Sequence, residues 1–185
     1  MMEATTTMRR AWMALFGLWA MVVSAAAAAQ MQPLADCSSL SIHLTGIPEA
    51  AGARCQGDEA RANELIDASR PDRVFVIRHQ SSGGHDYLRR EEVTDIVKKL
   101  TAAGTLDSLS ERLKFEHFDI ARYRAAANAA SRPAGCFAFV SYAGHVAQTT
   151  GYRHAIIGSY CDLSGKEPDA ARIVQLLRGI SADFW

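Results

Sequence analysis

Two stretches decide the fold: Cys136-Phe137-Ala138-Phe139-Val140-Ser141-Tyr142-Ala143 and Tyr152-Arg153-His154-Ala155-Ile156-Ile157-Gly158-Ser159-Tyr160-Cys161. Both are rich in aromatic and β-branched residues, and a loop bounded by Gly144 and Gly151 separates them, which reads as two strands of one hairpin. If the hairpin turns at Gln148-Thr149, the two positions of every opposed pair sum to 297, as 136 and 161 do. The two cysteines then face each other. Directly opposed Cβ atoms lie about 4.5–5.5 Å apart, near what a disulfide requires. The bridge is expected to contribute on the order of 3.5 kcal/mol in the chain-entropy model. Cys37 and Cys55 are the remaining pair, expected to clamp the start of the domain.

Disulfides require an oxidising compartment, and the beginning of the chain supplies an address for one. After Met8-Arg9-Arg10 comes an uncharged run from Ala11 to Ala29 that fades from Leu, Val, Met, Trp and Phe into alanine. A positive end, an apolar middle and small residues at the exit have the order of a secretory signal. Ala27 and Ala29 place cleavage before Gln30, so residues 1–29 are expected to be a signal peptide and 30–185 one exported domain, periplasmic or secreted. An uncleaved anchor is the rival, since nineteen residues just reach membrane-spanning length. Leu34-Ala35-Asp36-Cys37 resembles a lipoprotein box, but Asp36 stands where a small apolar residue belongs.

Twenty basic and twenty acidic residues cancel over the chain, and loss of Glu3, Arg9 and Arg10 leaves eighteen against nineteen. A net charge of −1 disfavours nucleic acid as a partner. After cleavage no stable membrane span is expected.

Around the hairpin, Leu40, Ile42 and Leu44 alternate with Ser41, His43 and Thr45, the period of a half-buried strand with His43 outward. Asp58–Ser69 reads equally as a short helix or a strand. Arg70-Pro71-Asp72-Arg73 is a turn, and Val74-Phe75-Val76-Ile77 a central strand. Asp86 to Ala103 carries Val93, Ile96, Val97 and Leu100 at helical spacing, with Asp86 as cap and Gly104 as stop. Leu113, Phe115 and His117 line a strand, and Asp119 caps a helix that ends before Pro133; one longer helix from Ser108 is the alternative. Pro168 opens a last helix with the stripe Ile173, Val174, Leu176, Leu177 and Ile180, expected to cover the hairpin face of Ala138, Val140, Ala155, Ile157 and Ser159. This succession predicts an α+β fold: an antiparallel or mixed sheet with helices packed mainly on one face and two disulfides.

Chemistry concentrates in Arg78-His79-Gln80-Ser81-Ser82-Gly83-Gly84-His85-Asp86, joining the central strand to the first helix. Two glycines let backbone N–H groups converge on an anion beside Arg78, His79, His85 and the serines, which makes Arg78, His79, Ser81, Ser82, Gly83, Gly84 and His85 the ligand-binding expectation. Arg78-His79 at a strand end also resembles the Arg-His-Gly of histidine phosphatases, with Ser141-Tyr142-Ala143-Gly144-His145 as an echo of their second histidine. That resemblance implies a hydrolase or phosphoryl-transfer enzyme using His79 with Arg78 and His145, although Gln80 replaces the glycine.

His145 and His154 fall on one hairpin face as diagonal neighbours, but two ligands do not make a metal site, and no metal or cofactor is expected. Tyr142, Tyr152 and Tyr160 with Arg153 serve either a partner surface or the sheet, and Phe184-Trp185 either a partner or the body of the domain. The leading expectation is an exported, disulfide-stapled domain that acts by binding a partner or a small anionic ligand without catalysis.

Overall fold

The computed structural model describes residues 31–60, 62–83, 86–101, 105–126 and 131–185; the leader read at residues 1–29 lies outside them. The deciding hairpin forms as β9 (Ala134–His145) and β10 (Gly151–Asp162). Cys136 opposes Cys161, Val140 opposes Ile157, and His145 opposes Tyr152, each pair keeping the sum 297. Gln148 adopts φ 64° in the connecting turn, and Val146 N–H donates to the Gly151 carbonyl at 2.9 Å. With register fixed, Cys136 and Cys161 are bonded across a Cα separation of 4.1 Å; Cys37 and Cys55 form the second disulfide at 5.4 Å.

The remaining strands are β1 (Gln32–Pro33), β2 (Ile42–Leu44), β3 (Arg54–Gly57), β4 (Asn63–Asp67), β5 (Arg73–Ser81), β6 (Leu88–Arg89), β7 (Thr105–Phe115), β8 (Phe118–Ala126) and β11 (Ile180–Ala182). One large sheet runs β1-β3-β4-β5-β10-β9-β8-β7 with β6 paired to β10, while β2 and β11 form a separate pair. All these pairings are antiparallel.

This overturns the α+β expectation. Among the described residues strands dominate, and the two α-helices, α1 (Val93–Leu100) and α2 (Ala170–Arg178), have only eight and nine residues. Nor do they share one side. Ile173, Leu176 and Leu177 of α2 join a core cluster with Phe75, Ile77, Phe137, Phe139, Ile156 and Tyr160. Val93, Ile96 and Val97 of α1 join another with Tyr123, Cys136, Ala138 and Val140. The small-residue hairpin face is therefore met by the first helix and not, as expected, by the last.

The expected helix from Asp119 is strand β8. Phe118, Ile120 and Tyr123 are buried while Asp119, Arg122 and Arg124 are half-buried, a mainly two-residue alternation. Pairing with β7 on one side and β9 on the other outweighs the helix propensity of the alanines. Glu116, at φ 53°, makes the tight turn between β7 and β8. Asp86 does not cap α1: Leu88 and Arg89 first pair with Tyr152 and Gly151, and Glu92 holds the N-cap position. Gly104 lies outside the described residues. For α2 the Asp169 carboxylate accepts the Arg172 N–H at 2.8 Å, so Pro168 precedes the cap, and Ile180 belongs to β11.

Candidate functional site

The alternation of β5 turns Phe75, Ile77 and His79 inward and places Arg78 on the opposite face, where it is exposed. An imidazole in that inward row must find polar partners, and it does. Glu64 occupies the paired position on β4. His79 Nδ1 lies 3.0 Å from Glu64 Oε2, and both side chains are sealed from water, with 1% and 0% exposed. Ser41 donates its N–H to both Glu64 oxygens at 3.0 Å and its hydroxyl at 3.1 Å. Burial pushes the Glu64 carboxyl up, but the bonds from His79 and Ser41 outweigh this and hold it below the ordinary range. An ionised Glu64 only accepts, which places a proton on His79 Nδ1.

The other His79 nitrogen, Nε2, lies 3.2 Å from Nδ1 of His154, a half-buried ring on β10. Burial lowers the His154 imidazole, with the His79 and Arg153 charges adding to the effect. Phe184 stacks on both rings. Ser81 pairs with His154 in register. Because Ser81 N–H turns away to the Ala62 carbonyl, this is the closely spaced, non-hydrogen-bonded kind of pair.

Beyond Ser81 the chain is tied to the turn end of the hairpin. Ser82 N–H donates to the Arg153 carbonyl at 2.8 Å, the Ser82 hydroxyl reaches the same oxygen at 3.4 Å, and Arg153 Nη1 donates to the Asp86 carbonyl at 3.1 Å. Gly84 and His85 lie outside the described residues. Tyr142 and Tyr152 meet with ring centroids 5.1 Å apart, and the Tyr142 hydroxyl accepts the Glu91 N–H at 2.8 Å. Tyr87, 40% exposed, lies so close over Gly151 that a Cβ there would stand 2.0 Å from its ring. Arg89 and Arg90 are exposed beside it, Arg90 pairing with Asp119 at 2.6 Å. Three tyrosines and three arginines thus gather at one end of the sheet.

The structure does not bring together the set implied by the phosphatase resemblance. His79 points inward, Arg78 donates to Asn63 Oδ1 at 3.1 Å on the other face, and the exposed His145 lies edge-on to Tyr152 at 5.6 Å. Tyr160 does not join the other tyrosines; it is buried against Phe75 and Phe137. Among the described residues no three His, Cys, Asp or Glu side chains are placed to hold a metal ion, and no helix is long and apolar enough to cross a membrane.

Glu64, His154, Ser41 and Phe184 were missed as partners of His79. The available signal was the period-2 step Phe75, Ile77, His79, which puts an imidazole in a buried row and calls for a carboxylate on the neighbouring strand. No family model, curated protein or solved structure matches this chain.

Proposed function

We propose that this is an exported, disulfide-stapled antiparallel β-sheet domain that binds an anionic partner through the turn end of the β9–β10 hairpin. The single observation that carries the reading is the gathering of Tyr87, Tyr142 and Tyr152 with Arg89, Arg90 and Arg153. Tyrosine and arginine are the side chains enriched in interface cores and at their energetic centres, since each combines a large contact area with directed hydrogen bonds. The Ser81–Gly83 segment, tied to Arg153 through Ser82, lies beside this end and extends its polar rim, while Arg78 sits farther along β5 opposite Ile157. The two disulfides favour an oxidising destination.

Labelled poly-L-glutamate is a suitable probe. The wild type is expected to bind it with an affinity that falls steeply with salt, and Arg89→Glu/Arg90→Glu to weaken binding by about tenfold or more, as charge reversal at a complementary surface does. Tyr87→Ala is expected to weaken it as well. Arg54→Glu, a charge reversal on β3, is expected to leave it unchanged. Equal affinity in all four proteins, or no binding by any of them, overturns the reading.

A further inference from the structure

Arg90 stands between two surfaces. It hydrogen-bonds Tyr152 in the tyrosine and arginine cluster, and its Nη2 donates to Asp119 Oδ2 on β8 at 2.6 Å. From Arg90 and Asp119 a cleft of about 410 Å³ runs between the start of α1 and the β7–β8 pair. Buried Val93 and Ile120, with half-buried Leu113, give it apolar walls.

Its rim carries three cations, Arg90, Arg112 and Lys114, against two carboxylates, Glu92 and Asp119. Asp119 alone serves two of the cations, since Lys114 Nζ lies 3.5 Å from its Oδ1 while Arg90 holds Oδ2. Arg112 donates to the Glu92 carboxylate at 3.0 Å and to the Thr94 hydroxyl at 3.3 Å. The Lys114 and Arg112 side chains remain 77% and 62% exposed. Ion pairs that exposed are weak enough to exchange for an incoming carboxylate. The Glu92 side chain does not cap α1, so the positive end of the helix adds to the charge there.

We propose that this cleft is a subsite for an acidic peptide segment, taking an apolar side chain between Val93, Leu113 and Ile120 while flanking carboxylates meet Arg90, Arg112 and Lys114. The inference rests on the anionic-partner reading above and specifies the partner. An inorganic anion or an acidic polysaccharide satisfies the rim but has no apolar side chain to set against the walls. A protein segment with leucine between acidic residues satisfies both. Through Arg90 the cleft continues to the Tyr142–Tyr152 pair, so one extended segment reaches both surfaces.

The test uses the full chain and two labelled heptapeptides, glutamates around a central leucine and the same peptide with central serine. The leucine peptide is expected to bind about tenfold tighter, as burial of one such side chain allows. In amide resonance spectra it is expected to shift Val93, Leu113 and Ile120, and its serine twin to leave them in place. Arg112→Glu/Lys114→Glu, on exposed side chains, is expected to weaken the leucine peptide by about tenfold. Equal affinity for the two peptides, unmoved Val93, Leu113 and Ile120 signals, an unaffected double variant, or tighter binding of polygalacturonate than of the leucine peptide overturns the proposal. If any of these occurs while poly-L-glutamate still binds and is weakened by Arg89→Glu/Arg90→Glu, the cleft inference falls and the broader reading stands; absence of binding to every probe strikes both.

Discussion

Glu64 and His79 occupy paired positions on β4 and β5 and face each other at 3.0 Å with neither side chain reaching water. Truncating Glu64 leaves the Ser41 amide and His79 Nδ1 without their acceptor, so Glu64→Ala is expected to cost about 3 kcal/mol, as loss of one member of a buried polar pair does. Glu64→Gln keeps the shape and one acceptor and is expected to cost less. Urea denaturation of the two variants checks the order.

Acid is expected to destabilise the domain in two stages. His154 and His117 titrate lower in the folded protein than in the unfolded chain, so the unfolded state takes up more protons. Stability from this source is complete above about pH 6.5 and falls as the pH drops toward the folded midpoints. Glu64 and Asp67 are also held low, so their contribution is present above the ordinary carboxyl range and is lost below it. Melting temperatures at a series of pH values are expected to fall first as the pH drops below about 6.5, and again below about pH 4.5; a profile flat down to pH 4.5 contradicts the assignment.

The two disulfides close loops of similar size, with cysteines 18 and 25 positions apart. Cys136→Ser/Cys161→Ser is expected to cost about 3.5 kcal/mol and Cys37→Ser/Cys55→Ser about 3 kcal/mol on the loop-entropy relation. Equilibrium unfolding of each double variant against the oxidised protein measures both.

Gly158 lies beneath the Phe139 ring, and a Cβ there would stand 2.2 Å from its Cζ. Gly158→Ala is expected to destabilise by about 1–3 kcal/mol through overpacking. Gly83→Ala meets nothing within 4 Å and is expected to be close to neutral. Thermal unfolding separates the two.

The parts of the fold readable in the sequence were those with two agreeing constraints. The β9–β10 register followed because the strand pattern, the turn and the cysteine positions all demanded the same pairing, and Arg70–Arg73 did form the turn between β4 and β5. Where one weak signal stood alone, reading failed. Asp119 as a cap and Pro133 as a stop favoured a helix, yet Phe118, Ile120 and Tyr123 were needed by a sheet. The small residues of the hairpin share a core cluster with α1 and not with the last helix, and nothing local says which helix arrives. His79 was visible as a chemical residue. Its environment was not, because Glu64, His154 and Phe184 come from three distant segments that only the sheet register and the return of the chain past Ile180 bring to it.

Export with both staples formed is the claim on which the binding role rests, and intact-mass analysis of protein taken from its native host, with and without alkylation, tests it most directly. A chain beginning at Gln30 that is four hydrogens lighter than its reduced form and takes up no alkylating agent is the expected result. A mass that includes Met1–Ala29 together with four alkylated cysteines would contradict it.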